Sequence, residues 1–398
     1  MIFRFLGAQW LAACFVGLVS FGVSVLIART LGPELFGAYA IAIAAGAVVA
    51  ILIDGGFGKL LQRERAMASP ELTGFMPLLP GLAYGHALLM LAGLCLAAMV
   101  FLPKQALTVV AALLFFGAAV LNQFGLALMR GDGRLVRDAG WQVGNRSLSA
   151  VCVLLVLWWG ASQPWQMLMA QFVGAAAFGF FVARYLRVLP SFKFSAHVYK
   201  AVLPFAWIDL ACVLYFRADM VLFQFLGVAK LEVGKYGVAY RLLEAVILLA
   251  LPLGLILFRR FRLGSTEPRR VVRQMWSTIL VAAFLGGSLV LLAWAFGEPL
   301  VQWAYGASYA GAGQLLMLLS CALVFILPNG IMNQAALAFG LERWFAVSAT
   351  AAAVLNVGGN LILIPRYGVM GAALMTVLTE VLLFVCLTVG VLRHAYKK

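Results

Sequence analysis

The chain has 398 residues, 65% hydrophobic and 11% charged, with mean hydropathy +1.03 and a net charge of +15. Soluble domains carry about a quarter charged residues, so this composition excludes an ordinary water-soluble enzyme and places the chain in a bilayer. The basic surplus calls for no nucleic-acid partner, because membrane orientation and anionic lipid account for most of it.

Twelve apolar stretches follow one another at 9–28, 37–53, 76–101, 106–129, 141–160, 165–186, 201–226, 236–258, 275–296, 312–333, 344–364 and 369–392. Each approaches the roughly 20 residues of one helical crossing. Continuous apolarity without strict alternation predicts helices rather than barrel strands. With a cytoplasmic N-terminus, 21 of the 29 lysines and arginines fall on the inner side. Five fall outside (Arg29, Lys104, Lys230, Lys235, Arg366), and Arg146, Arg217 and Arg241 lie within predicted helices. This asymmetry predicts both termini inside and an even number of crossings. The six arginines between Arg259 and Arg273 read as a solvated inner loop.

Arg4 before an apolar run resembles the start of a signal peptide, but the run continues to about residue 28. That is too long for a typical signal core, and it predicts an uncleaved first helix. The six cysteines all fall inside predicted helices without a C-x-x-C pattern, as packing residues do. His86 and His394 read as interfacial and His197 as a linker residue, none with a metal-site companion. No loop exceeds about 25 residues, and the longest outer one, 297–311, offers only Glu298 as an acid. A non-enzymatic activity carried out within the membrane is therefore expected.

Leu31-Gly32 is followed by Gly37-Ala38-Tyr39, and Leu226-Gly227 by Gly234-Lys235-Tyr236, at the same topological corner of each half. The two Gly-x-Tyr sites are 234 − 37 = 197 residues apart, near half the chain. This predicts an all-α polytopic membrane protein of two six-helix lobes of like orientation around a central cavity. The expected divisions are 1–187, a cytoplasmic linker at 188–200, and 201–398.

The segment Ala28–Tyr39, Arg217-Ala218-Asp219 with Gly234-Lys235-Tyr236, and Asn360–Gly371 together resemble the polysaccharide transporters, the O-antigen and exopolysaccharide flippases. The resemblance runs along the whole chain in order and spacing. It implies alternating access, with a diphosphate-sugar head group between the lobes and a polyprenyl tail in lipid. It also implies Na⁺, H⁺ or membrane potential as the driving force, with no other cofactor. The implied partners are a polyprenyl-diphosphate-linked oligosaccharide, membrane lipids and other polysaccharide assembly proteins in a bacterial inner membrane. The wider superfamily includes multidrug extruders and the lipid II flippase. The latter carries arginines inside its first helix, whereas residues 5–28 here contain none, which favours a different polyprenyl-linked glycan.

Charges inside membrane helices cost about 2.5–3.5 kcal/mol each on insertion scales and so face partners or water. Arg217, near the middle of helix 7, suits a diphosphate through bidentate hydrogen bonds. Alternatively it pairs with Asp219, Asp209 or Glu244, although Asp219, two residues away, points nearly opposite. Arg241 and Glu244 share a face of helix 8, as an ion pair or with Arg241 turned to phosphate. Arg146 beside Asn145 on helix 5 either meets an incoming head group or snorkels to the interface. Asn122 on helix 4 lies at similar depth. Asp54 with Gly55, Gly56 and Gly58 reads as a helix end or close packing, not a phosphate loop.

A second set comprises Asp219, Asn356, Asn360 and Thr376, at similar depth in helices 7, 11 and 12. One carboxylate, two amides and a hydroxyl suit a small cation. In the lipid II flippase a Na⁺ site draws on these same helices, with an acid where this chain has its second amide. The other reading is interhelical hydrogen bonding. Glu380, one turn beyond Thr376, is the candidate for protonation if H⁺ drives transport, or else a pairing acid. The competing readings are a multidrug or organic-cation antiporter, disfavoured by Arg217, Arg241 and Arg146, and a membrane enzyme acting on polyprenyl substrates.

Overall fold

The computed structural model describes residues 2–66, 77–186, 188–264 and 267–396. Arg187, Lys397 and Lys398, three of the 21 basic residues expected on the inner side, lie outside these residues, as do the expected boundary at 187 and the first residue of the 76–101 span. All regular structure among the described residues is helical. In chain order it comprises α1 (Ile2–Asp54), α2 (Phe57–Ala66), α3 (Leu79–Phe101), α4 (Ala106–Gly131), α5 (Leu135–Trp158) and α6 (Pro164–Leu186). There follow α7 (Ala196–Phe225), α8 (Lys230–Leu263), α9 (Pro268–Tyr305), α10 (Ala312–Ser320), α11 (Leu323–Ala338) and α12 (Glu342–Tyr396).

Two pairs of predicted spans run as single long helices broken inside. α1 breaks at Gly32 (φ 69°, ψ 171°), a backbone region open essentially to glycine alone. α12 breaks at Gly368 (φ 58°) and folds back on itself. Trp344 Nε1 donates to Cys386 O at 2.8 Å, although a straight helix would hold residues 42 apart at about 63 Å. α12 is therefore a helical hairpin whose arms correspond to the predicted spans 344–364 and 369–392. The predicted span 312–333 is instead two helices, α10 and α11, bent by 41°.

Six helices among the described residues are long and apolar enough to cross a membrane, or seven if the bent pair counts as one span. The twelve crossings remain an expectation from the sequence. The presumed outer loop at 297–311 requires correction, since α9 continues to Tyr305. Glu298 accepts from Gly311 N and Gly313 N, both at 2.9 Å, and so ties the start of α10 to α9.

Two compact units emerge, residues 1–31 with 38–213, and residues 32–37 with 214–398. The division falls within α7, beyond the 188–200 segment. In the first unit α4 packs against α2, α3 and α6, around Ile53, Phe57, Leu60, Leu79 and Phe124. The short basic helix α2, not foreseen from sequence, starts where Asp54 accepts from Gly56 N (2.9 Å) and Gly58 N (3.3 Å). Lys59 on α2 pairs with Asp209 on α7 at 2.5 Å, which removes Asp209 as the partner of Arg217. In the second unit α11 packs against α8, α9 and α12, around Met275, Met332, Ala335, Leu387 and Val391.

The sequence repeat is a structural pair. Gly32 (φ 69°) and Gly227 (φ 70°) share a positive φ at equivalent positions. A Cβ on Gly37 would strike the carbonyl of Lys230, and one on Gly234 would strike the carbonyl of Pro33. Each glycine thus meets the main chain four residues before the other, an approach that only the missing side chain permits.

Candidate functional site: a polar cluster in the second unit

The second unit gathers its polar residues from α7, α8, α11 and the α12 hairpin. Apolar side chains carry most of each helix, so the polar positions stand out as costly unless they meet one another or water. On α7, Tyr215 and Asp219, four residues apart, share one face, and Arg217 between them points nearly opposite. On α8, Tyr236, Tyr240 and Glu244 recur every fourth residue and share one face, with Arg241 beside it.

Two groupings result. In the first, Glu244 lies between two guanidiniums. Arg217 Nη2 donates to Glu244 Oε1 at 2.5 Å and Arg241 Nη1 to Glu244 Oε2 at 2.8 Å. Arg217 also lies over the Tyr240 ring, 5.8 Å from its centre. The three charged side chains remain 23%, 30% and 26% exposed. Two cations share one anion, so the trio keeps a formal charge of +1 and access to whatever fills the space beside it.

In the second, two buried carboxylates line one small cavity. Asp219 accepts from the Tyr236 hydroxyl and from Met220 N (2.7 Å), and the Tyr236 hydroxyl also meets Thr376. Glu380 accepts from the Tyr215 hydroxyl and from Asn329 Nδ2 (2.7 Å). Asn360 Nδ2 donates to Asn356 Oδ1 at 3.0 Å, and Asn356 Nδ2 reaches Thr379 Oγ1 at 3.4 Å. The buried Asn360 Oδ1 accepts no hydrogen bond. The cavity, lined by Asp219, Asn356, Thr376, Thr379, Glu380 and Tyr215 among others, has a free volume of about 10 Å³. That is room for about one water-sized group, far too little for a sugar.

The expected ion-coupling residues Asp219, Asn356, Thr376 and Glu380 therefore do converge on one cavity, with Asn360 hydrogen-bonded to its rim. Thr376 itself donates to Ala372 O at 3.1 Å, while Thr379 meets Asn356. Of the expected substrate contacts, Arg217 and Arg241 meet on Glu244, and Asp219 is not the ion-pair partner of Arg217. The others belong to the first unit. Asn122 on α4 is buried and donates to Ala175 O on α6 at 2.9 Å, whereas Asn145 and Arg146 sit half-buried on α5. Sequence reading missed Tyr215, Tyr240, Asn329 and Thr379 and took Tyr236 only as a repeat marker. The four-residue spacing of Tyr236, Tyr240 and Glu244 was the available signal.

Solved structures share this helical arrangement from end to end. A lipid II flippase, MurJ, in an inward closed conformation superposes with a TM-score of 0.79 at 13% identity, covering 97% of this chain and 89% of its own. An inward-facing multidrug resistance MATE family transporter of the MOP superfamily gives 0.65 at 15% identity, covering 98% and 94%. A MOP superfamily transporter from Pyrococcus furiosus, described as having a binding pocket of reversed polarity, gives 0.62 at 16%, covering 99% and 95%. The fold is that of MOP-superfamily transporters, a polytopic membrane architecture. The sequence profile of the polysaccharide biosynthesis protein family matches residues 8–258, well over half of the chain, and the chain belongs to that family. No curated protein matches it by sequence.

Proposed function

We propose that this protein is a flippase that carries a polyprenyl-diphosphate-linked oligosaccharide, an O-antigen or exopolysaccharide repeat unit, across the bacterial cytoplasmic membrane by alternating access. The observation that carries this reading is the sharing of Glu244 by Arg217 and Arg241. A half-open pair of guanidiniums within membrane helices, with one excess positive charge, matches a diphosphate in geometry and sign. It opposes the binding of organic cations, which would meet like charge. Membership of a polysaccharide biosynthesis family supports the glycan class, and the inner-side surplus of arginine supports an orientation with both termini cytoplasmic.

Coupling to Na⁺ or H⁺ is assigned to the Asp219–Glu380 cavity. Two buried carboxylates on one small cavity, hydrogen-bonded to tyrosine and asparagine, need a small cation or a proton to offset their charge. Asn356, Thr376 and the spare Asn360 Oδ1 add neutral oxygens suited to a hard cation.

The test is flipping itself. The protein is reconstituted in liposomes with a polyprenyl-diphosphate oligosaccharide in one leaflet, and its exposure to an external glycosidase is followed. Protein-dependent exposure, lost with Arg217→Ala at equal reconstitution, is the expected result. Full exposure with Arg217→Ala would remove Arg217 from the head-group site. No exposure with a range of glycans and imposed ion gradients, together with efflux of an organic cation, would overturn the flippase reading.

A further inference from the structure

A second cavity of the same unit adjoins the polar cluster. It is a groove between α8, α9 and α11 with a free volume of about 250 Å³. Its walls are almost wholly apolar, and the lining residues Leu253, Val281 and Leu285 are more than half exposed. At its inner end Ile247 and Ile326 are shared with the Asp219–Glu380 cavity, so one pair of side chains divides the two spaces. On α8, Ile247 follows Glu244 by three residues, which is one turn of the same helix face, about 4.5 Å along the axis. A cationic pair and an exposed apolar groove are thus in sequence along one helix.

We propose that this groove seats the isoprenoid chain of the lipid-linked glycan at the end nearest its diphosphate. The inference rests on the flippase reading above and adds a binding site to it. Along α8 the order is that of the ligand, with Arg241 and Glu244 first, then Ile247, then the apolar groove from Ala250 to Leu257. The groove occupies the half of α8 toward Leu263 and of α9 toward Pro268, and spans the middle of α11. In the orientation proposed above that is the cytoplasmic half, the leaflet from which such a substrate enters.

Energetics favours a tethered chain over free lipid. A hydrocarbon chain gains no hydrophobic free energy on leaving lipid for an apolar groove, because both surroundings are equally apolar. An ordinary acyl chain is therefore held weakly. A chain whose diphosphate is fixed one turn away is presented at high effective concentration, and the groove then aligns it.

Gly330 makes the idea testable. It lines the groove, and a Cβ placed on it would meet nothing within 4 Å. Gly330→Phe therefore fills the channel without displacing the main chain. Gly358, on α12 and equally open, does not line the groove, so Gly358→Phe is the control. Binding would be measured for two sugar diphosphates, one with a long polyprenyl chain bearing a diazirine in its first isoprene units, one with a two-isoprene chain. Wild type should prefer the long chain by about tenfold and place the photolabel on α8, α9 or α11. Gly330→Phe should abolish preference and label while keeping short-chain affinity, and Gly358→Phe should keep both.

Full preference and labelling in Gly330→Phe would overturn the groove assignment. Short-chain binding sensitive to Arg217→Ala in that same experiment would leave the flippase reading standing. Binding of neither ligand by wild type would bring down the flippase reading, and the groove with it. Label that is competed away by ordinary phospholipid, or found on a second copy of the chain, would give the groove to that occupant and overturn the proposal.

Discussion

The two copies of the repeated corner share their glycines and differ in their charges. Before the corner the copies align at an offset of 226 − 31 = 195 residues, and after it at 234 − 37 = 197. Arg217 then corresponds to Gly22 and Asp219 to Ser24, while Arg241 corresponds to Ala44 and Glu244 to Ala47. Tyr39 and Tyr236 are equivalent, yet Tyr39 receives a hydrogen bond from Gln171 Nε2 at 2.8 Å, whereas Tyr236 donates to the carboxylate of Asp219. The hydroxyl of Ser24, at the position of that carboxylate, is buried without a hydrogen-bond partner. What the repeat preserves is what the main chain requires, a glycine turn and a glycine close approach. The charges, which the backbone does not require, are concentrated in the second copy.

Substitutions made in parallel at equivalent positions would break or sharpen this contrast. The largest effect belongs to the shared feature. Gly37→Leu and Gly234→Leu should each destabilise the fold by about 3 kcal/mol or more, since a Cβ cannot coexist with the facing carbonyl. Thermal unfolding in detergent should show comparable losses for both, and tolerance of either would mean that the close approach is not maintained. The next effect is confined to one copy. Arg217→Ala should slow flipping about 10- to 100-fold through loss of a charge-assisted contact, whereas Gly22→Ala should leave the rate within twofold of wild type.

Asp219→Asn should remove the ion dependence of transport measured against imposed Na⁺ and pH gradients. Ser24→Ala should leave it intact and change stability by under about 1 kcal/mol, because an unpartnered hydroxyl contributes little. Unchanged ion dependence in both Asp219→Asn and Asn356→Ala would sink the coupling assignment. The smallest expected difference lies between the tyrosines. Tyr39→Phe and Tyr236→Phe each lose one hydrogen bond, about 1 kcal/mol of stability. Tyr236→Phe alone should also shift the cation concentration that half-saturates transport, since it uncovers Asp219.

Much of this architecture was legible in the sequence because membrane helices leave a strong one-dimensional record. A crossing must be apolar over its whole length, a corner needs glycine, and both are local properties. The α12 hairpin could be placed from Pro365-Arg366-Tyr367-Gly368 for that reason. The site was legible in part. Asp219, Asn356, Thr376 and Glu380 could be grouped by depth, since depth follows from residue number. Which groups touch could not, because azimuth around a helix and pairing between distant helices are decided in three dimensions. Glu380 takes its partners from residues 165 and 51 positions away. Arg217 likewise pairs with Glu244, 27 residues on, while Asp209 pairs with Lys59, 150 residues before it. The short helix α2 escaped notice because ten residues with three cations carry no membrane signal.

Glu244 has one more consequence. Because it already sits between the two guanidiniums, any anion that comes to them must compete with a resident carboxylate fixed to the same scaffold. Such an internal competitor lowers affinity on arrival, and it speeds departure by the same measure, since the arginines never have to be left bare. A carrier is limited by how readily it lets go, so for the diphosphate cargo proposed above a built-in understudy for its charge would favour turnover over tight capture.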